Sequence, residues 1–101
     1  MNANIRRVIG KYVDTSQTYV FLFGSRASGN PSPASDYDIG LFQGKPVPLR
    51  VIAKIKDELE DCPIPVSVDV VDFATVSEDF KKLAFKKIRL WNVPKNGLKL
   101  I

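Results

Sequence analysis

The chain has 101 residues, the size of one small domain, read here as a single unit over 1–101. Its 45% hydrophobic and 26% charged residues exclude a disordered chain and suit a globular one. Histidine is absent, which excludes Ser-His-Asp and Cys-His chemistry, and a single cysteine, Cys62, excludes an intrachain disulfide or a cysteine zinc cluster.

The formal charge of +4 is local. Lys81, Lys82, Lys86, Lys87, Arg89, Lys95 and Lys99 all fall in the last quarter. A solvated helix face accounts for them; an acidic partner or RNA is the sharper alternative. The N-terminus lacks signal-peptide character and no apolar stretch is long enough for a bilayer. A cytoplasmic protein with no membrane contact is expected, and a lone half-buried thiol before Pro63 fits a reducing compartment.

Ile5, Val8, Ile9, Tyr12 and Val13 recur at helical spacing behind an asparagine cap. Thr18–Phe23 is short and continuously apolar, the pattern of a central strand covered on both sides. Gly24–Gly29 must turn sharply, with one helical turn over Ser25–Ser28, and Asn30–Ser35 is a loop holding two prolines. Asp36–Phe42 reads as a second strand. Leu49, Ile52, Ile55 and Leu59 mark a second helix, stopped by Pro63 and Pro65. Val66–Val71 is a third strand. Thr75 and Glu78 form a candidate capping box with Ser77 as a competing cap, and the helix beyond carries Phe80, Leu83 and Ala84 on one side. Ile88–Val93 reads as an edge strand because Pro94 bars a central one, and Asn96-Gly97 turns into an apolar end, Leu98–Ile101. The fold class is α/β (α+β): helices packed on one small mixed sheet.

The chemistry concentrates at two strand ends. Residues two apart on a strand share a face, so Asp36 and Asp38 point together, with Gly40 next on that face leaving open surface. Tyr37, Ile39 and Leu41 point to the other face and read as core. Asp69 has opposite parity to Val66, Val68 and Val70, so adjacent strands would bring three carboxylates to one patch. Asp72 has the wrong parity and reads as a cap or turn residue, the alternative being that it replaces Asp69. Like unit charges about 4 Å apart repel by roughly 4 kcal/mol at an effective dielectric of about 20. Such a patch raises its own pKa values and calls for a cation; magnesium favours carboxylates together with phosphate oxygens. Gly24 and Ser25 at the strand end could hold a phosphate through backbone N–H groups and a hydroxyl, while Arg26 could fork onto phosphate or pair with a neighbouring acid. No Gly-Lys-Ser/Thr follows, so this is no P-loop.

In order, Phe23-Gly24-Ser25-Arg26-Ala27-Ser28-Gly29, then Ser35-Asp36-Tyr37-Asp38-Ile39, then Val68-Asp69-Val70-Val71-Asp72 resemble the minimal nucleotidyltransferases (MNT) of the DNA polymerase beta superfamily. The likeness continues through Phe73–Phe80 and spans nearly the whole chain. It implies the palm-like nucleotidyltransferase core, with Gly24, Ser25 and Arg26 on the nucleotide. Asp36, Asp38 and Asp69 become the catalytic and metal-binding residues, holding two Mg2+ ions, and ATP becomes the substrate. Asp69 would also assist deprotonation of the acceptor hydroxyl. Ser28 replaces the second basic residue often found after Gly-Ser-Arg-Ala, which thins the phosphate clamp.

Members of this size resemble antitoxins encoded with a helical HEPN-type partner, neutralised by adenylylation or by contact. The resemblance therefore implies a Mg-dependent transfer of a nucleoside monophosphate, AMP from ATP, to a hydroxyl on such a toxin. Its alternative is a non-catalytic module that occludes the toxin, with Trp91, Leu98, Leu100 and Ile101 as patch. A polymerase or terminal-transferase fragment ranks last, so nucleic acid is not the expected partner. A homo- or hetero-oligomer is compatible with either leading reading.

Overall fold

A computed structural model describes residues 3–27 and 36–100, with Ser25 described by its backbone alone. The asparagine cap at residue 2, the loop over 28–35 and Ile101 lie outside the described residues. In chain order the elements are α1 (Ala3–Tyr12), β1 (Tyr19–Phe23), a 3-10 turn (Gly24–Ala27), β2 (Tyr37–Phe42), α2 (Leu49–Asp61), β3 (Val68–Asp72), α3 (Glu78–Ala84) and β4 (Arg89–Asn92).

The sheet runs β3-β2-β1-β4. β1 pairs antiparallel with both β2 and β4, while β2 and β3 are parallel and joined by the crossover helix α2. β1 is therefore central, as its unbroken apolar run requires, and β4 is an edge.

Strand alternation sends two different chemistries to the two faces. Val20, Leu22, Ile39, Leu41 and Val70 pack against Ile5, Val8 and Ile9 of α1 and Ile55 and Leu59 of α2. The helices are tied to each other by Glu58, which accepts from the Tyr12 hydroxyl and pairs with Lys11 at 2.6 Å. Phe21 and Phe23 face the other way and join Phe73, with Phe85, Ile88 and Leu100 packed around them. Phe21 and Phe73 meet edge to face with centroids 4.8 Å apart, and Phe73 stacks on Phe85 at 5.5 Å. The Tyr19 hydroxyl donates to the Leu98 carbonyl at 2.6 Å and ties the chain's last described segment to this face.

Four local expectations change. Leu49 opens α2 but is 85% exposed, because it lies in the first turn, beyond the reach of the sheet. Ser77, not Thr75, caps α3, its hydroxyl accepting from the Phe80 amide at 3.1 Å. No residue of α3 is fully buried: Leu83 is 65% exposed, so the helix covers the aromatic face only loosely. The surface beside Gly40 is not open. A Cβ there would lie inside the Phe21 ring, so glycine is needed to let that ring lie flat across β2.

Candidate active site

Parallel pairing of β2 with β3 sets Asp38 opposite Asp69, and antiparallel pairing sets Phe23 opposite Asp38. Side chains of register partners share a face, so both carboxylates emerge where the aromatic cluster ends, next to the 3-10 turn. Gly24 opens that turn with φ +71°, a backbone region that favours glycine, and a Cβ there would overlap Asp38 Oδ2. Two constraints thus converge on one glycine, and together they bring the turn's backbone against the carboxylate.

Asp38 is partly buried, and desolvation pushes its carboxyl above the ordinary value; the negative charges of Asp69 and Asp36 push it further the same way. Asp36 is exposed immediately before β2. Asp69 is exposed as well: its Oδ1 accepts from the Val70 amide at 3.0 Å and faces Lys56 Nζ at 3.8 Å. Among the described residues, no three acidic, histidine or cysteine side chains are already arranged around a common ion position. The donor set nonetheless suits a hard cation, since all three groups are carboxylates and the innermost is held above its usual pKa by burial first and by the charges of the other two second. The lysine beside Asp69 supplies part of the compensating charge in this arrangement.

Asp72 behaves as a turn residue. It is buried, with Oδ2 accepting from Val47 N at 2.8 Å and Oδ1 from Ala74 N at 3.0 Å, which fixes the chain before α2 and after β3. Arg26 lies with its guanidinium 3.9 Å from the Tyr37 ring. Tyr37 packs with the aliphatic core, so Arg26 reaches around toward the face opposite the carboxylates.

Along the chain, Lys81, Lys82, Lys86 and Lys87 read as a solvated face, with reach to a polyphosphate as the alternative. Phe23, Gly24, Phe80, Leu83, Ala84, Lys86 and Lys87 enclose a largely apolar cavity of about 230 Å³ against the 3-10 turn. The one signal available was the pair of lysines following an apolar helix face, which a solvated surface explains equally well.

A four-stranded mixed sheet with a glycine-serine turn facing an Asp-x-Asp strand defines a nucleotidyltransferase core. The family model for polymerase beta nucleotidyltransferases matches residues 4–92, and the chain belongs to that family. It is 33% identical over 67 residues to "Probable protein adenylyltransferase MntA" of Haemophilus influenzae (strain ATCC 51907 / DSM 11121 / KW20 / Rd); the match covers 66% of this chain and 59% of that protein. Solved neighbours give the same fold. A toxin-antitoxin crystal structure with AMP-PNP superposes with a TM-score of 0.70 at 20% identity, over 89% of this chain and 72% of that one. A mutant of the toxin-antitoxin MntA-HpeT also gives 0.70 at 19% identity, over 92% and 75%.

Proposed function

We propose that this chain is a magnesium-dependent adenylyltransferase acting in the cytoplasm as an antitoxin, moving AMP from ATP onto a hydroxyl of a helical HEPN-type toxin. The observation that carries the reading is Asp38, crowded by Asp69 and Asp36 beside the glycine turn that closes β1. The name of the Haemophilus influenzae relative and the AMP-PNP complex of the toxin-antitoxin neighbour support the adenylyl donor and the class of partner.

Asp36, Asp38 and Asp69 would hold two Mg2+ ions. When bound, the metal supplies charge neutralisation on the triphosphate and lowers the pKa of an attacking hydroxyl. Backbone N–H groups at Gly24 and Ser25 would face the triphosphate at the turn, while Arg26 lies over Tyr37 toward the opposite face. The apolar cavity at Phe23, Phe80 and Leu83 would seat the nucleoside, with Lys86 and Lys87 also in its lining. Asp69 takes the proton of the acceptor hydroxyl as its oxygen attacks the α-phosphorus; the bond to the bridging oxygen breaks and pyrophosphate leaves. The chain's contribution is position and fixed charge.

A contact-only antitoxin is the second reading, favoured by the apolar surface at Leu83, Leu90 and Val93, each about half exposed or more. Incubation with ATP labelled at the α-phosphate, magnesium and the helical partner separates the two. Label should appear on the partner, and Asp38→Asn should cut transfer by about a hundredfold to a thousandfold, the usual cost of losing a group that stabilises transition-state charge. Neutralisation by Asp38→Asn at full strength, without label, would replace the enzymatic reading with the contact one.

A further inference from the structure

The crossover helix sends one lysine back to the carboxylate patch. On α2, Ile55 and Leu59 turn inward and are buried, and Lys56 follows Ile55 on the flank toward β3. Together with Leu59, Glu60, Ser67 and Val68 it lines a groove of about 230 Å³ between helix and strand. Its side chain is 49% exposed, as when a lysine stem lies on protein and its charge stays in water.

Glu60, four residues further along α2 and in the same groove, offers that ammonium a pairing along the helix. Lys56 instead lies 3.8 Å from Asp69 Oδ1, its one ion pair among the described residues. The same oxygen accepts from the Val70 amide at 3.0 Å. That amide belongs to the free edge of the sheet. The Ser67 carbonyl and the Phe73 amide bond to residues of β2, so by alternation the Val70 amide points outward. A hydrogen bond and a charge thus meet on Oδ1, while among the described residues no donor reaches Oδ2.

We infer that Lys56 is the positioning residue of Asp69: with the Val70 amide it holds Oδ1, leaving Oδ2 to face the cation and the acceptor hydroxyl. The inference rests on the metal-dependent transfer proposed above and adds a residue to it. Asp69 is exposed, so burial does not fix its carboxylate. The Val70 contact comes from the next residue of the same strand, whereas the lysine ties the carboxylate to a second element. Groups that hold a metal ligand in place change affinity or activity about tenfold to a hundredfold when lost. Charge alone works the other way. A cation beside a ligand repels the incoming metal, so loss of a lysine that merely neutralised Asp69 would strengthen metal binding. The two roles differ in sign.

Manganese, followed by its electron paramagnetic resonance, serves as the metal probe on the full chain with a non-hydrolysable ATP analogue. Lys56→Gln should bind it about tenfold more weakly, and Lys56→Arg should restore most of the affinity. Lys54→Gln, at an exposed position of the same helix, should match the parent. At saturating magnesium, Lys56→Gln should lose about tenfold in kcat for transfer from α-labelled ATP to the helical partner, with the KM for ATP within about twofold. Urea unfolding midpoints of the parent and the three lysine variants should coincide, which excludes a folding defect. The inference is overturned if Lys56→Gln binds manganese as tightly as the parent or tighter, or if Lys56→Arg is no better than the glutamine. Asp38→Asn keeps that failure apart from failure of the proposed function. Loss of manganese in Asp38→Asn but not in Lys56→Gln sinks only the role of Lys56. No manganese binding by the parent, or undiminished binding by Asp38→Asn, sinks both.

Discussion

The two faces of the sheet are built on the same strands yet do different work. On one, aliphatic side chains from β1, β2 and β3 are sealed by α1 and α2, and Ile5, Val8, Ile39, Leu41 and Ile55 have no accessible surface. On the other, phenylalanines pack under a short α3 that buries none of its own residues fully, and the rings give way at one end to carboxylates. The first face is closed by long helices over its centre and carries charge only at its edge, where Arg6, Arg26 and Arg89 lie. The second is closed by rings over only part of its area, so charge can sit at its margin without being buried. A domain of this size needs both solutions, because a face sealed completely has no place for a reactive group.

If the aromatic face is as much a core as the aliphatic one, Phe21→Ala should cost about 3–5 kcal/mol in urea unfolding, alongside about 2–5 kcal/mol for Ile55→Ala. A loss under about 1 kcal/mol for Phe21→Ala would make that face a loose cover and break the comparison. Gly40→Ala tests the same packing from the opposite side. Its methyl group meets the Phe21 ring, and overpacking of this kind costs about 1–3 kcal/mol; combining it with Phe21→Leu should recover part of the loss.

The charged margin predicts the reverse sign. The Asp38 carboxyl titrates in the folded state above its ordinary value of 3.8. A raised folded pKa adds stability below the unfolded pKa and withdraws it as pH rises through the folded one. In the presence of a chelator, Asp38→Asn should therefore unfold at higher urea than the parent near neutral pH. The gap should close on acidification below about pH 4, where both chains lack the charge. A variant less stable than the parent at neutral pH would make Asp38 a structural acid. The smallest effect belongs to Lys56→Gln. The Lys56–Asp69 pair is exposed, and such pairs contribute about 1 kcal/mol or less, so denaturation should hardly register the change.

Much of this was legible along the chain. The apolar runs named the strands, Pro94 placed β4 at the edge, and the parity of Asp38 and Asp69 put them on one face once β2 and β3 were neighbours. What escaped depended on contacts far apart in sequence. Gly40 looked like open surface because the ring that fills it comes from β1, nineteen positions earlier in the chain. Arg26 looked equally ready for phosphate or for an acid, and its position over Tyr37 depends on the path of the intervening chain. The capping contest before α3 was decided by which hydroxyl met the Phe80 amide, a matter of one turn's geometry.

By itself the sequence determined the elements, the face each side chain takes and the set of acids available for chemistry. Those follow from periodicity and side-chain type, which are local. Tertiary structure alone decided that Gly24 would press against Asp38, that Lys56 would sit beside Asp69, and that three arginines would gather behind the sheet. Those depend on strand order and register, which set distances between residues that no spacing along the chain encodes.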